Sequence, residues 1–178
     1  AKVEDTWVVD AGCNGVVVVT IERGGVDAVD VLEGLWRLAE AARQEGGDAL
    51  KRFLMDVRHC HRFLPMQVTS RSVLPEILEA ARGVIQPVFG TADKPKSPPT
   101  SWSIMVDLRS CNSLKKPDII SAIASLIDSS FHKVSLTDSD AIVLVQVIRS
   151  ACGLSVVRGA SKFRVSNHSF NLGAHAEG

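Results

Sequence analysis

Basic side chains at chain reversals are the residues most open to chemistry in this sequence. Arg109, Lys115, Lys116, Lys133, Arg158, Lys162 and Arg164 fall at the ends of predicted strands or in the loops beside them. Exposed loop positions of this kind are free to bind a ligand, and cations there can neutralise phosphates. By themselves they are equally well ordinary solvated side chains. His59-Cys60-His61 invites a metal reading. On a strand, however, His59 and His61 would share a face while Cys60 points away, and no second ligand pair stands nearby, so no metal site is expected. Gly24-Gly25 lacks the Lys-Ser/Thr of a phosphate-binding loop and reads as a turn. Asp107, Asp138 and Asp140 could suggest acid–base chemistry, but turn capping explains Asp138 and Asp140 more simply. No spacing signals a nucleophile with its base, and no cofactor is expected. There is no Tyr, and Trp7, Trp36 and Trp102 all fit core or half-core positions, which argues against an aromatic platform for stacking bases.

The elements that must position these side chains follow from hydrophobic period. Residues 16–21 predict a buried strand after the turn cluster Gly12-Cys13-Asn14-Gly15. Val26, Val29, Leu32, Leu35, Trp36 and Ala39 then recur at helical spacing until Gly46-Gly47. A second strand is predicted within residues 53–63. Leu74, Ile77, Leu78, Ala81 and Ile85 mark an amphipathic helix, with Pro87 just past its end. Residues 91–101 are a mobile Pro/Lys-rich loop. Trp102, Ile104, Val106 and Leu108 alternate with smaller or polar residues as a half-buried strand does. Ile120, Ile123, Ala124, Ile127 and Phe131 line a helix that opens at Pro117. Residues 133–136 predict a short strand, residues 141–148 a strand buried on both faces, and Gly153 a turn into a last strand over residues 154–157.

Length and composition set the limits. The chain has 178 residues, 46% of them apolar, enough for one large domain or two small ones. Its longest apolar run is far short of a bilayer span, and no basic-then-apolar segment opens it, so neither a membrane anchor nor a secretory signal is expected. Four scattered cysteines without a C-x-x-C pair fit a reducing compartment. The net charge of zero hides a division: residues 1–50 carry four basic against ten acidic side chains, and residues 51–178 sixteen against ten. A nucleic-acid contact would therefore lie in the later part.

Residues 133–157, KVSLTDSDAIVLVQVIRSACGLSVV, resemble the signature of the THUMP domain, an RNA-binding module of tRNA-modifying systems. Its usual wording is Lys-Val-Asp-Leu-Thr-Asn-Pro-Asp, an apolar strand, then Leu-Ser-Val-Val. Arg109, Asn112 and Ser113 stand where the family places an Arg and a polar stretch after its first strand. Phe163, Arg164 and Asn167 match its closing pattern. Residues 58–65 with Thr69, and Cys152 near Leu154-Ser155-Val156-Val157, are similar to the eukaryotic THUMP proteins that assist tRNA cytidine acetylation. Departures stand at Ser135 for Asp, Ser139 for Pro, Gln146 for Glu, Val165-Ser166 for a basic residue and His168 for Leu.

The resemblance implies an α/β (α+β) fold: a ferredoxin-like unit over residues 1–70 packed on a THUMP domain over 71–170, with a tail at 171–178. It implies RNA contacts at Arg109, Asn112, Lys115, Lys116, Lys133, Arg158, Lys162 and Arg164. It further implies a non-catalytic adaptor, working in the nucleus, nucleolus or cytoplasm, that presents the acceptor end of tRNA to an RNA cytidine acetyltransferase. With only eight residues after Phe170, no room for a catalytic domain is expected. The alternatives are the RNA-binding part of a longer THUMP methyltransferase or sulfur transferase, and a scaffold that has lost RNA binding.

Overall fold

The computed structural model describes residues 6–21, 24–60, 62–91, 93–163 and 169–177. At its centre is a four-stranded mixed sheet. Its strands are β3 (Val68–Arg71), β6 (Trp102–Arg109), β7 (Ala141–Ile148) and β8 (Ala151–Arg158), in spatial order β3-β8-β7-β6. β1 (Thr6–Asp10) and β2 (Val17–Ile21) form a separate hairpin, and β4 (Gly90–Thr91) and β5 (Lys94–Pro95) a minimal ribbon. The helices are α1 (Ala28–Glu45), α2 (Gly47–Val57), α3 (Leu74–Phe89), α4 (Lys116–Ala124) and α5 (Leu172–Glu177), with a 3-10 turn at Ala160–Phe163. β7 runs parallel to β6 and antiparallel to β8.

β7 explains the layering. Val143, Val145 and Val147 face one core with Ile77, Ala81 and Ile85 of α3 and Ile119 and Ile123 of α4. Ile142 and Leu144 face another, with Leu32, Trp36 and Ala39 of α1, Phe163, Phe170, and Leu172 and Ala176 of α5. A strand whose neighbours lie on both faces needs apolar residues at every position, which is why Ala141 to Val147 carries one interruption, Gln146. The mixed α/β class expected from sequence is what is found, and the N-terminal helices share the core of the following sheet.

Several elements differ from expectation. Residues 53–63 hold no strand among those described. Leu50, Phe53, Leu54 and Val57 recur at helical spacing, so α2 begins where α1 ends, with Gly46 at φ 67° turning the chain between them. The described part of residues 1–70 thus shows the order strand, strand, helix, helix, strand, instead of the strand, helix, strand anticipated for a ferredoxin-like unit, and β3 runs across the expected boundary at residue 70. β2 is not buried: paired among the described residues only with β1, it leaves Val17 64% and Val19 54% exposed, and Trp7 on β1 is 55% exposed instead of lying in a core. Trp36 and Trp102 are buried as anticipated.

α3 runs through Pro87 to Phe89, where Gly90 at φ 79° ends it. Part of the loop over residues 91–101 is tied down, since the Lys96 N–H donates to Phe89 O at 2.7 Å. The inner face of α4 is Ile119 and Ile123, while Ile120 is turned to solvent. Residues 133–136 make a single bridge, Val134 to Trp102, in place of a strand.

The reversal between β7 and β8 lies at Arg149 and Ser150, not at Gly153. Gly153 is inside β8, opposite Gln146, where a Cβ would overlap Met66. Its role is to admit a neighbour, which a sequence reader sees only as a turn signal.

Candidate nucleic-acid interface

The sheet sorts the expected site residues to opposite ends. Because β6 and β7 are parallel, Arg109 at the end of β6 lies beside Ile148 at the end of β7. Asn112 follows in the loop, and Lys115 and Lys116 open α4. Lys133 lies at the other end, its carbonyl accepting from the Trp102 N–H at 2.9 Å, and Arg158 is there too, opposite Ala141. Lys162 follows in the 3-10 turn. The eight residues of β6 separate the two ends by about 23 Å at the usual strand rise. Arg164 and Asn167 lie outside the described residues.

The cations differ in what already holds them. Lys162 Nζ is 2.9 Å from Glu33 Oε1 on α1 and lies over the Phe163 ring, so its charge is engaged in joining the turn to the helix. Arg109 Nε is 3.4 Å from Asp107 Oδ2, two residues back on the same face of β6. Arg71, at the same sheet end, is paired with Glu76. Lys115, Lys116, Lys133 and Arg158 are exposed and make no ion pair among the described residues. At α4 the capping residue is Lys115, whose side chain makes no capping hydrogen bond. Pro117 supplies no N–H to this first turn and Asp118 adds a carboxylate, so the attraction for an anion here comes from the two lysines.

Sequence reading missed two further features of this end. Arg149, exposed and at φ 56°, sits in the β7–β8 reversal. The signal for it was a basic residue at the end of an apolar strand, obscured because Gly153 looked like the turn. The hairpin also reaches this end: Cys13 Sγ lies 3.4 Å from Ser110 Oγ, and Gly12 lies against the Arg149 guanidinium. Beside them Cys111 Sγ is 3.5 Å from Ser113 Oγ, whose hydrogen bond holds the Cys111 thiol below the usual thiol range.

The remaining sequence candidates have structural roles. Asp140 accepts from Ser101 Oγ at 2.6 Å and Ser101 N at 3.2 Å, which holds its carboxyl below the ordinary range. Ser135 Oγ accepts from the Asp138 N–H at 3.3 Å, so the residue standing in for the family's Asp still closes the turn. Ser139 is buried against Ser103 Oγ at 2.9 Å. Gln146 is buried, and its Nε2 has no partner among the described residues. His59 Nε2 accepts from Arg58 Nε at 2.9 Å, and no group of three His, Cys, Asp or Glu side chains among the described residues is placed to hold a metal. No helix among them is long and apolar enough to cross a membrane.

The fold is thus a mixed α/β domain with cations gathered at the ends of its sheet. Residues 71–157 match the family model of the THUMP domain. The matched segment runs from Arg71, the last residue of β3, to Val157, one residue short of the end of β8. Among curated relatives, the THUMP domain-containing protein 1 homolog of Drosophila melanogaster is 29% identical over 113 residues, covering 62% of this chain and 31% of that protein. The protein named tRNA acetyltransferase TAN1 of Saccharomyces cerevisiae is 26% identical over 123 residues, 66% of this chain and 42% of that one. The chain spans about a third of the length of the curated relatives it matches. A solution structure of the THUMP domain of THUMP domain-containing protein 1 is similar at 25% identity, covering 48% of this chain and 84% of that chain, with a TM-score of 0.40.

Proposed function

We propose that this chain binds tRNA through its THUMP domain and presents it to an RNA cytidine acetyltransferase, without carrying out the transfer itself. The observation that carries the reading is the THUMP match over residues 71–157, on a sheet whose β6 end gathers Arg109, Asn112, Lys115 and Lys116. These four make the principal phosphate contacts. Lys133 and Arg158 at the opposite end supply weaker, longer-range attraction, and Lys162 contributes least because Glu33 already pairs it. The acceptor end of tRNA is the part held. α1, which exposes Asp30, Glu40 and Glu45, faces the enzyme, since carboxylates would repel phosphates.

The test is binding of an unmodified tRNA transcript across a range of salt. Several phosphate contacts require affinity to fall with log salt by about 0.7 to 0.9 per contact. Stem-loops lacking the acceptor end bind more weakly on this reading. A binding curve indifferent to salt, or no binding at low salt, leaves only a scaffold.

The name of the yeast relative favours one second reading, in which acetyl transfer belongs to the THUMP protein itself. Incubating the purified chain with tRNA and acetyl-CoA decides between them: acetylcytidine formed by this chain alone supports the second.

A further inference from the structure

Arg149 is held in a way that solvent-facing arginines rarely are. Its N–H donates to Arg109 O at 2.9 Å and its carbonyl accepts from Ser72 Oγ at 3.0 Å. These bonds fix a left-handed backbone, φ 56°, next to a second left-handed residue, Ser110 at φ 52°. Non-glycine residues in that region cost on the order of 1–3 kcal/mol and persist only where their surroundings over-determine them. The Arg149 side chain then lies across Gly12 in the hairpin turn: a Cβ there would overlap Nη1 and stand 3.4 Å from Cζ and 3.5 Å from Cδ. Gly12 is itself held at φ 64°, with its N–H donating to Asp10 Oδ1 at 2.8 Å, so that carboxylate is turned into the turn. Among the described residues no carboxylate pairs with Arg149, whereas Arg71 has Glu76 and Arg109 has Asp107. An unpaired guanidinium carried on a fixed backbone is available for bidentate recognition of a phosphate.

We propose that Arg149, laid across Gly12, takes a backbone phosphate of the bound RNA, and that the hairpin turn at residues 12–15 is thereby part of the RNA-binding face. This rests on the tRNA-binding reading above and extends it into the acidic N-terminal stretch, whose turn it places on the RNA side. Gly12 acts as a positioning residue, because only a residue without a side chain leaves room for the guanidinium.

The test compares wild type with Arg149→Gln, Arg149→Lys and Gly12→Ala, measuring affinity for an unmodified tRNA transcript as a function of KCl, together with melting temperature. Arg149→Gln weakens binding by about five- to eightfold at about 0.1 M salt, the factor one released counterion supplies there, and makes the slope of log K against log salt shallower by about 0.7 to 0.9. Arg149→Lys keeps the wild-type slope, and Gly12→Ala moves affinity in the same direction as Arg149→Gln. If wild type binds tRNA and Arg149→Gln matches it in affinity and slope, the inference is overturned while tRNA binding stands. Weaker binding with an unchanged slope and a lowered melting temperature also overturns it, by showing a structural role. An unaffected Gly12→Ala beside a weakened Arg149→Gln removes the turn from the interface. Wild type that binds no tRNA overturns both readings at once.

Discussion

Arg109 closes one end of β6 while the Lys133 carbonyl is bonded to Trp102 at the other, so two cations of one domain stand about 23 Å apart. No single phosphate cluster can engage both, and their roles must separate in experiment. Arg109→Glu is expected to weaken tRNA binding tenfold or more at about 0.1 M salt, and Lys133→Glu by about two- to threefold. Lys162→Ala changes affinity least and stability by under about 1 kcal/mol, because its partly exposed ion pair with Glu33 is worth little. Titration of the three variants against one transcript, each with its melting curve, checks the order. Equal losses at the two ends would show that RNA lies along the sheet instead of across one end.

His132 is fully buried, with Nδ1 accepting from the Thr100 N–H at 3.1 Å and Nε2 at 2.9 Å from Phe89 O. The first bond requires Nδ1 to be unprotonated, so Nε2 carries the hydrogen that Phe89 O accepts. His132→Leu leaves one donor and one acceptor stranded, at about 1–3 kcal/mol each. Urea unfolding should show a loss of about 2–6 kcal/mol, while tRNA affinity of the remaining folded protein stays at the wild-type value.

Gly153 tests the packing between the strands and the chain entering β3. Gly153→Val forces a branched side chain into Met66, and overpacking of this kind costs about 1–3 kcal/mol. Gly153→Ala costs less, since the thioether can swing aside. Pairing Gly153→Val with Met66→Ala should recover part of the loss in denaturant unfolding. Absence of any recovery would mean that the strain lies in the backbone.

The long apolar run at residues 141–148 and the alternation at 102–109 made the sheet legible, because two-sided burial leaves little choice of residue at each position. The two-helix arrangement of α1 and α2 was not, because Gly46-Gly47 signals a stop equally well before a strand or a second helix. The exposure of β2 is hidden in the sequence for a related reason: its valines have the composition of a core strand, yet no layer among the described residues covers them. The candidate site was half legible. Basic residues at strand ends could be named, but only the parallel pairing of β6 and β7 reveals which of them share an end. Arg149 came into view only once the reversal moved from Gly153 to residues 149 and 150.

The most direct measurement of the central claim is a reconstituted reaction containing tRNA, acetyl-CoA and an RNA cytidine acetyltransferase, run with and without this chain. An adaptor that holds substrate beside a catalyst raises its effective concentration, so product should rise by at least tenfold when the chain is present at limiting tRNA. Arg109→Glu should abolish most of that gain. Equal product with and without the chain would contradict the adaptor role, and acetylcytidine formed by the chain alone would contradict its being non-catalytic.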